Sequence, residues 1–524
     1  MKGAIAAGHP LTAEAGARIL SEGGNAVDAC IAAACVSWVA ESPLTGPGGG
    51  GFLLVHRSRT SRGRPDTLLD FFAAVPGKGF PDENRADMEE VAVSFDGTTS
   101  QVFLVGGASC AVPGAVAGLS AAHRLYARLP WHVLFQPAIE LARRGVLLNE
   151  AQGFLHGVLD PILRYGSAAR AIYGEACGLA QGETLHLGDL AATLEQLADE
   201  GEASFYSGEL ASRLAATVQE QGGRITSEDL ATYRVVRRRP VRVTYRGGEI
   251  VSNPPPAAGG LLVGFALRVL DRLGEAKRAG SAGEIATLAE VMRQATGVRG
   301  TGFVSGLYRG GISGRVLADE RVHRAADAVR DGLRARVTER AGPPSTTHIS
   351  VVDADGNAAS LSASTGCGSG VVVPGTGIHV NNMLGEADLN SGGTAGSPGR
   401  RLTSMMAPSV LLEDGRPRLV LGSAGSARLR GAIVQIIRNV VDHELPLEEA
   451  LPAPRVHFGD GQLHLEGGID PEVANELEVD GYDVVRWSAR NLYFGGAAAV
   501  AYTAGGGLEA AGDPRRGGAG VVVG

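Results

Sequence analysis

The spacing of apolar and polar residues gives the first two-thirds of the chain a mainly helical pattern. Asn25 is a residue type that caps helices, and the stretch from Ala26 to Ala40 is apolar almost all round, which predicts a buried helix. Thr12 is expected to cap an earlier helix that ends near Ser21. Amphipathic helical segments are predicted near 134–145, 190–200 and 208–222.

The pattern changes to short strands after residue 346. Thr347 to Val352 and Ala358 to Ser364 are β-branched or alternating, and the Asp355-Gly356 step between them is a strong hairpin signal. Further elements are predicted as strands at 370–373, 377–380, 409–413 and 418–422 and as a helix near 428–442.

A polar, arginine-rich stretch from 321 to 345 separates the two patterns and ends in Gly342-Pro343-Pro344-Ser345. Because prolines favour extended and turn conformations, this stretch is predicted to be a linker.

Thr346 stands at the junction of this linker and the first strand. A hydroxyl there can attack the preceding carbonyl, and an N→O acyl shift followed by hydrolysis cuts the chain between Ser345 and Thr346. The freed threonine then has both a nucleophilic hydroxyl and an α-amine, whose ordinary pKa near 7.7–8.0 suits a general base. On spacing alone, a structural strand threonine explains Thr346 better than a nucleophile does.

Composition restricts the function further. The chain has 524 residues, enough for an extensive core, and a formal net charge of −8, which argues against a nucleic-acid partner. The longest apolar stretch, roughly Val27 to Ala40, is too short to span a membrane. No signal peptide is evident, so a cytoplasmic location is expected, with secretion left open if the sequence is trimmed.

Metal and cofactor sites are not indicated. The five cysteines form no CxxC pair and are each interpreted as small buried apolar residues. No histidine shows metal-ligand spacing. His348 lies close to Thr346, but we expect a strand neighbour to point to the opposite face and interpret it as structural. We therefore expect no metal and no cofactor.

The run from Thr346 to Ala358 resembles the start of the small subunit of gamma-glutamyltransferases, whose first threonine is the nucleophile. Other ordered matches lie along nearly the whole chain: Gly23-Gly24-Asn25-Ala26-Val27-Asp28-Ala29, Gly48-Gly49-Gly50-Gly51-Phe52, Val112-Pro113-Gly114, Glu228-Asp229-Leu230, Pro254-Pro255-Pro256, Asn381-Asn382, Gly422-Ser423-Ala424-Gly425-Ser426 and Asp513-Pro514-Arg515.

This resemblance implies an α+β fold, the four-layer αββα sandwich of N-terminal-nucleophile hydrolases. It also implies a helix-rich large subunit, 1–345, and a sheet-rich small subunit, 346–524, that carries the nucleophile. The two would form one αββα domain as a heterodimer, with a higher oligomer also open.

The resemblance also implies roles for single residues. Thr346 would be the nucleophile and, with Ser345, the cleavage site. Ser364 falls on a second threonine whose hydroxyl bonds the new N-terminus. Gly425 and Ser426 fall on paired glycines whose backbone N–H groups form the oxyanion hole.

The positions that bind glutamate in the family are less faithful here. Phe72 follows Leu69-Asp70-Phe71, where the family has an arginine that clamps the substrate α-carboxylate. Ser404 and Met405 occupy the place of two carboxylate-binding serines.

The amine-binding positions are partly kept. After Asn381 and Asn382, the family has a Gln or Glu and then an Asp, and here Met383 and Glu386 occupy those places. Asn382 and Glu386 are therefore predicted to bind substrate, although an exposed loop carboxylate is an equal alternative for Glu386.

We therefore predict an autoprocessing amidase or acyltransferase. It would act on a small-molecule or peptide amide, pass the acyl group to water or an amine, and prefer another amide to glutathione. An ordinary glutathione-type gamma-glutamyltransferase, with Arg400 or Arg401 holding the carboxylate, is the first alternative. The second is a non-catalytic family member that acts as a binding protein. A phosphate-binding loop at Gly46 to Gly51 is disfavoured, because neither a Lys-Ser/Thr pair nor a helix follows it.

Overall fold

The described residues form two large antiparallel sheets, four small sheets and the helices that pack on them, so the mixed helix-and-sheet class predicted from the sequence is confirmed. The computed structural model describes residues 1–58, 66–80, 86–94, 100–332, 346–386, 396–426 and 428–524. Ser345 and residues 387–395 lie outside the described residues. Among the helices described, none has the length and apolar character needed to cross a bilayer.

The strands, in chain order, are β1 (Gly3–Ala7), β2 (Gly50–His56), β3 (Asp66–Phe71), β4 (Glu89–Ser94), β5 (Ser100–Val105), β6 (Val146–Leu147), β7 (Thr184–Leu185), β8 (Val236–Arg238), β9 (Val241–Tyr245), β10 (Gly248–Ser252), β11 (Thr347–Asp353), β12 (Ala358–Ser364), β13 (Val372–Val373), β14 (Ile378–His379), β15 (Ser409–Glu413), β16 (Arg416–Ala424), β17 (Val456–Gly459), β18 (Gln462–Leu465), β19 (Asp483–Arg486), β20 (Gly496–Tyr502), β21 (Leu508–Gly512) and β22 (Ala519–Val523).

The helices are α1 (Pro10–Ser21), α2 (Ala26–Ala40), α3 (Ala115–Tyr126), α4 (Trp131–Arg144), α5 (Glu150–Leu163), α6 (Ser167–Tyr173), α7 (Gly188–Glu200), α8 (Ala203–Ser207), α9 (Glu209–Glu220), α10 (Ser227–Ala231), α11 (Gly259–Leu273), α12 (Ala282–Gly297), α13 (Phe303–Arg309), α14 (Ile312–Val316), α15 (Asp319–Arg330), α16 (Arg428–Val441), α17 (Leu447–Ala450) and α18 (Pro471–Val479).

The first sheet has the strand order β22-β1-β11-β12-β2-β3-β8, and the second sheet has the order β21-β20-β16-β15-β10-β9. Neighbouring strands in both sheets are antiparallel. The predicted hairpin β11–β12 lies in the middle of the first sheet, between β1 and β2. Strands from before and after residue 346 therefore share one sheet.

Alternating side chains on the strands point into different apolar clusters. In β2, Leu53 packs with the helices α1 to α5, whereas Phe52 and Leu54 pack between the two sheets. In β16, Leu421 packs with α11, α12 and α16, whereas Val420 faces the space between the sheets. Residues of both sheets thus belong to one shared apolar cluster.

The N-terminal caps of the first two helices are formed by different residue types. Asn25 caps α2 as predicted, and Asp28 completes a reciprocal capping box. The prediction that Thr12 caps α1 is wrong, because Pro10 occupies the first turn and His9 is the cap.

Two further expectations from the sequence are wrong in part. The linker predicted from 321 begins instead as α15, whose buried Val322, Ala325 and Ala326 give it an apolar face. Among the cysteines, Cys177 is exposed, whereas the other four are buried as expected.

Candidate active site

Thr346 lies just before β11 and lines a cleft of about 340 Å³. Its side chain is largely buried, with 4% of the residue exposed, and its carbonyl accepts a hydrogen bond from Arg516 Nη1 at 2.9 Å. The cleft is lined by Phe72, Thr346, Ser364, Gly366, Met383, Glu386, Ser404, Met405, Met406, Ser426 and Leu429.

Ser364 comes to the same cleft through the register of the central hairpin. Thr347 pairs with Ala363 across β11 and β12, so the antiparallel register places Thr346 opposite Ser364. The Ser364 Oγ accepts a hydrogen bond from the Gly366 N–H at 2.8 Å. The hairpin therefore places two hydroxyl side chains beside each other at one end of the sheet.

The glycine run before β2 allows this end of the sheet to pack closely. A Cβ on Gly49 would lie 2.5 Å from the Ser364 carbonyl oxygen, and one on Gly51 would lie 2.3 Å from that of Ser362. Asn381 joins the same region, because its side-chain N–H donates to the Gly48 carbonyl at 2.7 Å. These glycines therefore allow the backbone to pack closely around Ser364, at the start of a strand.

The predicted oxyanion turn links the end of β16 to the start of α16. Gly425 has φ +125° and packs against Gly495, and Ser426 has φ +52°, an uncommon angle for a residue with a Cβ. Ser426 lines the cleft, while Gly425 lies one residue further back. Because the N-terminus of α16 follows directly, its helix dipole favours negative charge at this turn.

Four of the five predicted substrate-binding residues line the cleft: Phe72, Glu386, Ser404 and Met405. Phe72 is fully buried and stacks on Phe52 with ring centroids 5.3 Å apart. Glu386 is only 8% exposed, so the exposed-loop alternative is wrong.

Asn382 does not reach the described cleft lining. Its side-chain oxygen accepts from the Cys367 N–H at 3.1 Å, and its side-chain nitrogen contacts the Cys367 Sγ at 2.9 Å. A Cβ on Gly366 would lie 1.9 Å from the Asn382 side-chain oxygen. Asn382 therefore supports the loop that carries Gly366 and Cys367, and its contact with substrate stays a prediction.

The two arginines considered as substitutes for the missing clamp also lie outside the described cleft lining. Arg401 Nε lies 3.2 Å from the buried Asp70 carboxylate, and its guanidinium donates to the Phe72 carbonyl at 2.5 Å. The Arg400 guanidinium stacks 4.5 Å from the centroid of Tyr308. Arg401 thus holds the backbone of Phe72 from the side away from the cleft.

His348 has a structural role as predicted, but the expectation that it points to the face opposite Thr346 is wrong. Residues two apart on a strand share a face, so His348 and Thr346 point to the same side. The His348 ring is nevertheless held by Ser362 Oγ at 2.8 Å and Ser350 Oγ at 3.0 Å, under Gly422 of the second sheet. Burial lowers the pKa of His348 to about 3, so the ring is neutral near pH 7.

Two charged residues near Thr346 were not singled out from the sequence. Glu41 accepts a hydrogen bond from Thr347 Oγ1 at 2.6 Å, and Arg516 donates to the Thr346 carbonyl. The available signals were a carboxylate at the end of the apolar helix α2 and an arginine directly after Asp513-Pro514-Arg515.

Comparisons with known proteins show which family the chain resembles along its length. Residues 12–523 match the family model described as Gamma-glutamyltranspeptidase. A glutathione hydrolase proenzyme of Pseudomonas aeruginosa is 33% identical over 99% of this chain and 94% of its own length. An acylase ACY 1 proenzyme of Pseudomonas sp. strain V22 is 33% identical over 100% of this chain and 94% of its own.

A solved structure shares the fold over nearly the whole chain. The crystal structure of cephalosporin acylase from Bacillus halodurans superimposes with a TM-score of 0.82, at 25% identity, over 99% of this chain and 95% of that one. With the family model matching almost every residue, the chain belongs to the gamma-glutamyltranspeptidase family.

Proposed function

We propose that this protein is an autoprocessing amide hydrolase or acyltransferase in which Thr346 is the nucleophile. One observation carries the proposal: Thr346, Ser364 and Ser426 meet in one cleft at the end of the central hairpin. The proenzyme names of the two relatives support a precursor that is cut before it acts.

Self-cleavage would begin when the Thr346 hydroxyl attacks the carbonyl carbon of Ser345. The peptide C–N bond breaks as the ester C–O bond forms, and the hydroxyl proton passes to the nitrogen, which becomes the α-amine of Thr346. Water then hydrolyses the ester, leaving a carboxylate on Ser345 and a free hydroxyl on Thr346. The products are the 1–345 and 346–524 subunits. Strands β11 and β12 of the second subunit lie between β1 and β2 of the first. The two subunits would therefore remain together as a heterodimer.

The substrate reaction would use the same hydroxyl. The Thr346 α-amine takes the hydroxyl proton as Oγ attacks the amide carbonyl, and the backbone N–H groups of Gly425 and Ser426 stabilise the oxyanion that forms. The amine returns the proton to the leaving nitrogen as the C–N bond breaks. Water or an amine then attacks the acyl ester and frees Thr346. Ser364 would hold the α-amine in position.

We also propose that the layers form the αββα sandwich. Three apolar clusters support this: one between the first sheet and α1 to α5, one between the two sheets, and one between the second sheet and α11, α12 and α16.

The substrate proposal follows from the charge of the cleft. The described lining contains one carboxylate, Glu386, and no lysine, arginine or histidine. The wall is mainly apolar and is formed by Phe72, Met383, Met405, Met406 and Leu429. A substrate carboxylate placed there would lose its hydration without gaining a cation, which costs several kcal/mol. The acyl group is therefore uncharged, or carries an ammonium group next to Glu386.

The second candidate is an ordinary glutathione hydrolase, because a relative of that name is 33% identical over nearly the full chain. It requires a partner for the glutamyl carboxylate. Arg401, one of the two arginines considered, is held by Asp70 and the Phe72 carbonyl.

Four anilides that differ only in charged groups distinguish the two candidates: γ-L-glutamyl, glutaryl, 4-aminobutyryl and butyryl. We expect the two without a carboxylate to have the higher kcat/KM. Glu386→Gln should lower the preference for 4-aminobutyryl over butyryl. If γ-L-glutamyl anilide is the best of the four, the glutathione-type reading replaces ours.

The nucleophile is tested by trapping the acyl-enzyme. After rapid mixing with the best anilide and acid quench, peptide mass spectrometry should find the acyl group on the peptide that begins at Thr346. Thr346→Ser should still be acylated, because it keeps a hydroxyl, whereas Thr346→Ala should not. An acyl group on another residue, or turnover by Thr346→Ala, would show that Thr346 is not the nucleophile.

A further inference from the structure

Two charged side chains, the buried Glu41 and the partly buried Arg516, contact the nucleophile segment. Glu41 follows the last residue of α2 and is only 5% exposed. Its carboxylate accepts from Thr12 Oγ1 at 2.8 Å and from Thr347 Oγ1 at 2.6 Å. Gly8 makes room for it, because a Cβ there would lie 2.5 Å from Glu41 Oε2. Glu41 therefore ties the first residue of β11 to α1 and α2.

Arg516 holds the preceding residue and also contacts the strand beside the oxyanion turn. Its Nη1 donates to the Thr346 carbonyl at 2.9 Å. Its side chain lies on Gly496, the first residue of β20, where a Cβ would be 2.2 Å from Arg516 Cδ. The adjacent Gly495 packs against Gly425, with 3.0 Å between the Gly495 Cα and a Cβ built on Gly425. One side chain thus connects the nucleophile to the region of the oxyanion turn.

The two residues also interact through their charges. Burial lowers the pKa of Arg516 to about 10, against the attraction of Glu41, so the guanidinium stays charged at neutral pH. Burial raises the pKa of Glu41, while the hydroxyls of Thr347 and Thr12 and the charge of Arg516 lower it. Removing either charge takes away one opposite charge from the other, beside the nucleophile segment.

Neither residue belongs to the cleft lining. Both line a separate cavity of about 430 Å³, whose lining shares no residue with that of the cleft. They therefore act on a substrate through the position of Thr346 and do not touch it.

Cleavage makes this support necessary. Once the bond to Ser345 is cut, Thr346 is a chain terminus held by one peptide bond, and chain termini are disordered unless they are tied down. An error of about 1 Å in the position of a reacting group can cost about 100-fold in rate.

We propose that Glu41 and Arg516 are a positioning pair that keeps the new N-terminus at Thr346 in the reactive geometry. This inference rests on the proposed role of Thr346 as nucleophile.

The test compares Arg516→Met, Arg516→Lys and Glu41→Gln in the purified, processed enzyme with an anilide that the wild type cleaves. We expect Arg516→Met and Glu41→Gln to lower kcat about 10- to 100-fold while KM changes less than about threefold, because the cleft that binds substrate is untouched. Arg516→Lys should recover part of the lost kcat, since it restores a charged donor.

The control is Arg438→Met, which breaks a buried ion pair with Glu284 between α16 and α12. It should lower the melting temperature but leave kcat within about twofold. The double variant Glu41→Gln/Arg516→Met removes both opposite charges together, so it provides a folded protein if a single variant does not fold. It should regain stability but not kcat.

Unchanged kcat in folded Arg516→Met, or recovery of kcat together with stability in the double variant, would overturn the positioning role. The proposed function fails separately, if the wild type shows no acyl group on Thr346.

Discussion

Lowering the pH from 7 to 5 is expected to remove most of the stability of this protein. Burial lowers the pKa of several histidines from 6.5 to about 3 or 4, so they are neutral in the folded chain: His9, His156, His348, His379 and His464. In the unfolded chain the same rings are protonated as the pH falls below about 6.5. The unfolded state then binds more protons, and stability is lost as the pH falls from about 6.5 toward 4.

The magnitude follows from the difference between the two pKa values. For a histidine with a pKa of about 4 in the folded chain and 6.5 in the unfolded chain, the change from pH 7 to pH 5 costs about 2 kcal/mol. Five such histidines cost about 10 kcal/mol together, which is comparable to the whole stability of a typical domain, about 5–15 kcal/mol.

The assay is equilibrium unfolding in urea at pH 7, 6 and 5, followed by tryptophan fluorescence. The Thr346→Ala chain is used, so that a single polypeptide unfolds and refolds. His348→Gln should reduce the loss of unfolding free energy between pH 7 and pH 5 by about 2 kcal/mol. The exposed His323 provides the control, and His323→Gln should leave that loss unchanged. An unfolding free energy that stays constant between pH 7 and 5, or an unchanged pH dependence in His348→Gln, would refute the reasoning.

Three further substitutions test the cleft and its supports. Phe72→Arg should raise the ratio of kcat/KM for γ-L-glutamyl over butyryl anilide about 10- to 100-fold, because a charged hydrogen bond contributes about 1.5–3 kcal/mol; an unchanged ratio would count against Phe72 as the selective residue. The free energy of unfolding in urea should be about 1 kcal/mol higher for Ser426→Gly than for Ser426→Ala, because of these two variants only the alanine one keeps a Cβ at φ +52°. The two variants should have equal kcat, and equal stabilities would contradict the reasoning. Gly49→Ala should lower kcat more than about 10-fold, because its Cβ would displace the Ser364 carbonyl 2.5 Å away. Gly157→Ala, in open space on α5, is the control and should leave kcat unchanged.

Elements with strong local signals could be predicted from the sequence. Helix α2 follows from its cap and its apolar run, and the β11–β12 hairpin follows from alternation around Asp355-Gly356. These signals need no distant partner, because the residues that define each element are neighbours in the chain.

Other elements depend on partners far away in the sequence. Strand β1 consists of Gly3–Ala7, mostly small residues without alternation, and its extended form comes from pairing with β11 and β22. Helix α15 has a strongly polar sequence, and only its three buried apolar residues, packed against the helices of the second sheet, show why it is helical and not a linker.

The candidate site divides in the same way. The family resemblance predicted that Thr346, Ser364 and Ser426 lie in one site. The hairpin register and the turn before α16 bring them together, and both are features of the backbone. The contact of Asn382 with Cys367 could not be predicted from the sequence, because it depends on tertiary packing. Glu41 and Arg516 were overlooked for the same reason, since neither lies near Thr346 in the sequence.

The most direct test of the central claim is the intact mass of the purified protein under denaturing conditions, together with sequencing of any new N-terminus. We predict two chains, one ending at Ser345 and one beginning at Thr346, and a single chain in Thr346→Ala. A wild-type protein that remains one chain yet hydrolyses the anilide, or one that is cut at a different bond, would contradict the account.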